Sequence, residues 1–112
     1  MQISEKCYGL AGSLFTAWTL IDAARRYASV EEKEKALMAS TNARAAVYDC
    51  EKDASLSSTE AKALNDDLNT VIHGIEWGEF SEARERLETL GEQFFMSTLE
   101  KVIDCECPEG RV

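Results

Sequence analysis

Between Phe80 and Asp104 the sequence FSEARERLETLGEQFFMSTLEKVID alternates apolar and polar positions with a period of three to four residues. Phe80, Ala83, Leu87, Leu90, Phe94 and Thr98, continued by Cys105, share one face of a helix at that spacing. Three weaker stripes precede it. From Lys6 to Ala28, Cys7, Leu10, Leu14, Trp18 and Ile21 form a stripe widened by Ala11, Phe15, Ala17 and Ala28. A second helix is expected from Val30 to about Lys52, with the alanine stripe Ala36, Ala39, Ala43, Ala46 beside Val47 and Cys50. Leu37, Thr41 and Tyr48 form its shoulder. A third carries Ala61, Leu64, Leu68, Val71, Ile72 and Ile75 and runs to about Trp77.

Boundaries follow from capping and breaking residues. Ser29-Val30-Glu31-Glu32 and Ser57-Ser58-Thr59-Glu60 both fit the capping box, and Leu56 is placed to staple onto Ala61. Gly78 supplies a left-handed stop after the third helix, and Trp77 and Phe80 are expected to close the turn it makes. The G-x-F-x-x-A spacing of Gly78, Phe80 and Ala83 resembles the turn of tetratricopeptide-type helical hairpins. One such unit occurs, without self-similarity at the roughly 34-residue period of that repeat, so no family follows from it.

These elements predict an all-α protein, an antiparallel up-down four-helix bundle spanning 1–105 as a single domain, with 106–112 as a flexible C-terminal tail. The junction at Ser29 decides the topology. No Gly or Pro lies between Gly12 and Gly74, and the first apolar stripe continues in phase into the alanine stripe. The alternative is one long N-terminal helix with a C-terminal helical hairpin, dimeric. The cap signal at Ser29, and the rarity of single helices much beyond 25 residues in one-domain proteins, favour the break.

Charge narrows the partners. Twenty-one acids against 12 bases give a formal charge of −9, a field that repels phosphate backbones and anionic lipid; no direct nucleic-acid binding and no membrane binding are expected, while a basic partner suits it. The apolar runs fall far short of the about 20 residues needed to span a bilayer. No basic segment followed by an apolar block and a small-residue cleavage site is found, which makes a cytoplasmic location the default.

Candidate chemistry is sparse. In the bundle topology Cys7, Cys50, Cys105 and Cys107 gather at one end. Three readings compete: buried free thiols acting as small hydrophobes, one or two disulfides linking Cys7 or Cys50 to the tail, or a tetrahedral thiolate site for zinc or, less fittingly, an iron–sulfur cluster. C-x-C is a poorer chelate than C-x-x-C, so the spacing does not choose among them. His73, the single histidine, lies near a helix C-terminus, where the helix dipole stabilises its charged form and a structural role suffices. No phosphate loop, nucleophile elbow, Ser/His/Asp set or paired E-x-x-H is present, and Asp66-Asp67 falls on an outward face. A non-enzyme without a resident cofactor is expected.

Three surfaces remain as functional candidates. Phe95, Met96, Leu99, Val102 and Ile103 add apolar residues outside the main stripe of the last helix, which predicts an interface with a protein partner or a second copy. Glu82, Glu85, Glu88 and Glu92 form an acidic line on its outer side, relieved by a Glu82–Arg86 pair, and suit an inhibitor that imitates a phosphate row before a basic partner, as phage anti-defence proteins can. The cysteine end suits a metal-binding or redox-responsive module. The small stripe Gly12, Thr16, Thr19, Ala23 reads either as a close-packing face or as an exposed edge.

Overall fold

In a computed structural model the described residues, 5–106, form four helices: α1 (Glu5–Ser29), α2 (Lys33–Lys52), α3 (Ser58–Glu76) and α4 (Phe80–Glu106). Each helix packs on its chain neighbour and α4 returns to α1, so four antiparallel helices stand around one core. The chain is broken after Ser29, and the single long rod is excluded. Positions 107–112 of the expected tail lie outside the described residues; Glu106, assigned to the tail from sequence, still belongs to α4.

All three reversals use the same backbone device. At each helix end one N–H reaches the carbonyl five residues back and the N–H before it reaches three back: Glu32 to Tyr27 with Glu31 to Ala28, Ser55 to Cys50 with Ala54 to Glu51, and Glu79 to Gly74 with Gly78 to Ile75. This is the Schellman arrangement, and it requires a left-handed residue at the pivot. The pivots are Glu31 (φ 56°), Ala54 (φ 67°) and Gly78 (φ 80°). Only the third is the glycine that announces such a turn.

The first reversal corrects the capping expectation. Ser29 ends α1, and its hydroxyl donates to the Arg25 carbonyl at 2.9 Å. Glu32 precedes α2 without a side-chain cap, because the pivot at Glu31 reverses the chain with backbone bonds alone. The second capping box forms as expected: the Glu60 N–H donates to Ser57 Oγ at 3.1 Å and the Ser57 N–H to Glu60 Oε1 at 2.9 Å. Leu56 and Ala61, the staple pair, are both buried. The linker between α2 and α3 thus closes one end of the core with Ser55 and Leu56.

The core follows the stripes. Leu14, Ala17, Ile21 and Ala24 of α1, Ala36, Ala39 and Ala43 with Val47 and Cys50 of α2, Leu68, Val71 and Ile75 of α3, and Leu87, Leu90 and Phe94 of α4 are buried together, with Ala46 half-buried at the edge. Alanine on α2 gives a low ridge, which lets the neighbouring backbones approach closely. On α4 the buried Gly91 faces α1, where a Cβ would lie 3.6 Å from Ile21 Cγ2 and 3.8 Å from Trp18 Nε1.

The helices are unequal, and this shapes one end. α1 and α4 have 25 and 27 residues, α2 and α3 have 20 and 19. Cys50 and Asp53, at the end of α2, both reach Ser13, so the first turns of α1 extend past α2. Glu60, in the first turn of α3, meets Lys101 at 3.1 Å, so the last turn of α4 extends past α3. At about 1.5 Å per residue α4 is roughly 40 Å long, and it sets most of the 47 Å length of the molecule. The overhanging ends are joined by a Cys7–Cys105 disulfide.

Candidate docking surface

Glu85, Glu92, Met96, Leu99 and Ile103 are separated by seven, four, three and four residues, and at 100° per residue they fall within a narrow row along α4. The row lies away from the core. Met96 and Ile103 are each 59% exposed, Leu99 is half-buried, and both glutamates are exposed. Phe95 and Val102, half-buried, flank the row. Phe95 is turned toward α1, its ring 5.8 Å from Phe15 and 5.4 Å from Trp18 between centroids. Of the five residues expected at an interface, Phe95 thus serves intramolecular packing, whereas Met96 and Ile103 remain mostly uncovered. Tyr8 of α1, 70% exposed, was not foreseen as a surface residue and lies beside the disulfide.

The cations of α4 leave this row to the acids. Lys101 pairs with Glu60 and Arg86 stands 3.8 Å from Asp67, both across the seam to α3, while Arg84 lies 4.0 Å from Glu88. The expected Glu82–Arg86 pair is therefore replaced by Arg86–Asp67, since the arginine faces α3 and not the preceding turn. Glu82, Glu85, Glu92, Glu100 and Asp104 make no ion pair among the described residues and are exposed. Glu60 lies below the ordinary carboxylate range because the Ser57 N–H donates to it and, despite its partial burial, Lys101 favours its charge.

A cleft of about 420 Å³ opens between α1 and α4 beside this row, lined by Trp18, Asp22, Arg25, Leu87, Glu88, Gly91, Glu92 and Phe95. Asp22 at its edge holds two arginines of α1: Arg25 Nη2 and Arg26 Nε each lie 2.9 Å from it. Burial alone would raise the Asp22 carboxyl, but the two guanidiniums outweigh it and hold it low. A second hollow of similar size between α3 and α4 includes Asp67, Glu79, Glu82, Glu85 and Arg86.

At the cysteine end the bundle brings Cys7, Cys50 and Cys105 to one pole, as its topology requires, but does not group these three as a metal set. Cys7 and Cys105 are bonded to each other, and Cys50 is a buried free thiol that donates to the Ser13 carbonyl at 3.3 Å. Burial, and then the Asp53 and Asp49 carboxylates, push that thiol up to about 11, the opposite of what an attacking or ligating thiolate needs. Among the described residues no three His, Cys, Asp or Glu side chains are grouped to hold a metal ion; Cys107 lies outside them. The zinc expectation finds no ligand set there.

Other expectations are revised by exposure. Trp77, expected to anchor the α3–α4 turn, is 81% exposed, because Gly78 completes the turn through the backbone. Gly12, Thr16 and Thr19 form an exposed edge, with both threonine hydroxyls donating to carbonyls one turn back. His73 is exposed with Nδ1 3.4 Å from Glu76. None of the helices among the described residues is long and apolar enough to cross a membrane. No protein-family model, curated protein or solved structure matches this chain.

Proposed function

We propose that this protein is a non-catalytic protein-binding module that docks a basic amphipathic segment of a partner on the outer row of α4. The observation that carries the reading is the composition of that row: apolar Met96 and Ile103 uncovered and Leu99 half-buried between them in a completed bundle, continued by Glu85 and Glu92, with Arg86 and Lys101 drawn to α3. An apolar strip bordered by unpaired carboxylates is complementary to a helix with an apolar stripe and lysine or arginine beside it. The net charge of −9 opposes a second copy of the chain and favours a basic partner. The Cys7–Cys105 bond supports a location where disulfides form, either an oxidising compartment or a cytoplasm in which this bond is made and broken.

The test is binding of a synthetic helical peptide of alternating leucine and lysine stripes, followed by fluorescence anisotropy, against a scrambled peptide of equal composition. A docking row on α4 should prefer the amphipathic peptide and lose at least tenfold in affinity with the double change Met96→Ser and Ile103→Ser. Equal binding of both peptides, unaffected by the double change and lost steeply with salt, would replace it with the purely acidic, phosphate-mimicking surface. Light scattering at twice 12.5 kDa would show the row to be occupied by a second copy.

A further inference from the structure

We propose that the Cys7–Cys105 disulfide is a redox switch on this docking row, an inference that rests on the reading of α4 above. The bond ties together the two overhanging helix ends, where few side chains are deeply buried. Among the described side chains, Cys7 is the one fully buried residue of α1 before Ala11, and none in α4 past Thr98 is fully buried; Lys101–Glu60 is the one ion pair among the described residues that anchors those last turns. Beyond Ser13 the first turns of α1 have passed the end of α2, and the sulfur bridge is the covalent tie between them and α4. Tyr8 follows one bridged cysteine directly, and Val102 and Ile103 precede the other by three and two residues. Leu99 and Ile103 of the docking row belong to these same last turns of α4, on the side of the helix away from Cys105, so the bridge bears on the row through the order of the turns that carry it.

The bond is reachable from one side. Cys7 is 2% exposed, whereas Cys105 is half-buried, so the thiolate of a dithiol reductant attacks Cys105 Sγ, a new sulfur–sulfur bond forms there, and Cys7 leaves as a thiolate that takes up a proton. The second thiol of the reductant then displaces Cys105. The balance is one protein disulfide and one dithiol giving two protein thiols and one reductant disulfide. Cys50, protonated and buried against Ser13, is not the attacking group. With the bridge open, the overhanging turns of α1 and α4 separate and fray, and Leu99 and Ile103 lose the fixed helical spacing of the row.

Hydrogen exchange on the full chain, oxidised and after reduction with a phosphine, tests this together with binding of the leucine–lysine peptide. The switch predicts exchange at least tenfold faster in 5–12 and 99–106 after reduction, protection in 61–94 largely kept, and peptide binding weakened at least tenfold; the double variant Cys7→Ser and Cys105→Ser should match the reduced protein without reductant. Equal exchange at the two ends in both states overturns the proposal, and so does loss of protection throughout, which would make the bond a staple of the whole fold. Should the ends loosen while the oxidised protein fails to bind the peptide, the docking reading falls and what survives is the redox-controlled opening of the helix ends; loosened ends with peptide binding unchanged overturn the switch.

Discussion

At the scale of single residues, the unusual positions are those that the fold places against their own preference. Glu31 and Ala54 occupy left-handed conformations at the pivots of two reversals, a region where a Cβ costs about 1–2 kcal/mol. Replacing either by glycine relieves that strain while adding some unfolded-state entropy, so Glu31→Gly and Ala54→Gly are each expected to stabilise by about 0.5–1 kcal/mol in urea denaturation, whereas Gly78→Ala should destabilise by a similar amount. Cys50 makes a second residue-scale prediction. Its thiol is raised from 9.0 to about 11, so the neutral form is favoured in the fold; the associated stability is complete below about pH 9 and is lost as pH rises toward 11. The loss is of order 2–3 kcal/mol, and the difference in stability between pH 8 and pH 11 should shrink in Cys50→Ala. Glu60 works in the opposite direction. Its lowered carboxyl contributes stability above its ordinary value of 4.5, and that contribution disappears as pH falls below it.

At the scale of elements, each helix is defined by its buried stripe, and α4 most of all. Leu87→Ala should cost about 2–5 kcal/mol because Leu87 is fully buried, while the change Glu85→Ala on the outer row should be near neutral to stability, as read from thermal or chemical unfolding. Gly91→Ala is a finer probe, since its Cβ would meet Ile21 and Trp18 at ordinary contact distance; better helix propensity then predicts a gain of about 0.5–1 kcal/mol. The stripes on all four helices were legible because burial imposes a 3.6-residue period on the sequence. The turns were legible where chemistry is local: Ser57 with Glu60, and Gly78. They were not at Glu31 and Ala54, where residues without left-handed preference are carried by hydrogen bonds to Tyr27, Ala28, Cys50 and Glu51. The candidate surface was half legible. The period separates Met96 and Ile103 from the core, but it does not reveal that Phe95 meets Phe15, that Arg86 turns to Asp67, or that Tyr8 joins the same end, because those facts depend on which helix stands next to which.

At the scale of the whole molecule, the unequal helix lengths and the single bridge belong together. The disulfide closes the chain across 98 residues, which in the chain-entropy account is worth about 4–5 kcal/mol, against a total stability of roughly 5–15 kcal/mol for a domain of this size. Reduction should therefore lower Tm markedly yet leave a folded bundle, since the core from Leu14 to Phe94 does not include the bridge. The charge pattern acts at the same scale: a chain of net charge −9 that spends two of the α4 cations on the α3 seam presents an acidic and apolar face to solvent. The most direct measurement of what that face does is an NMR titration of the oxidised protein with the leucine–lysine peptide. Saturable shifts concentrated on 85–103 and on Tyr8, with α2 and the outer side of α3 unmoved, are the predicted result; saturable shifts centred on α2 or α3, or none at all, would contradict a docking role for α4.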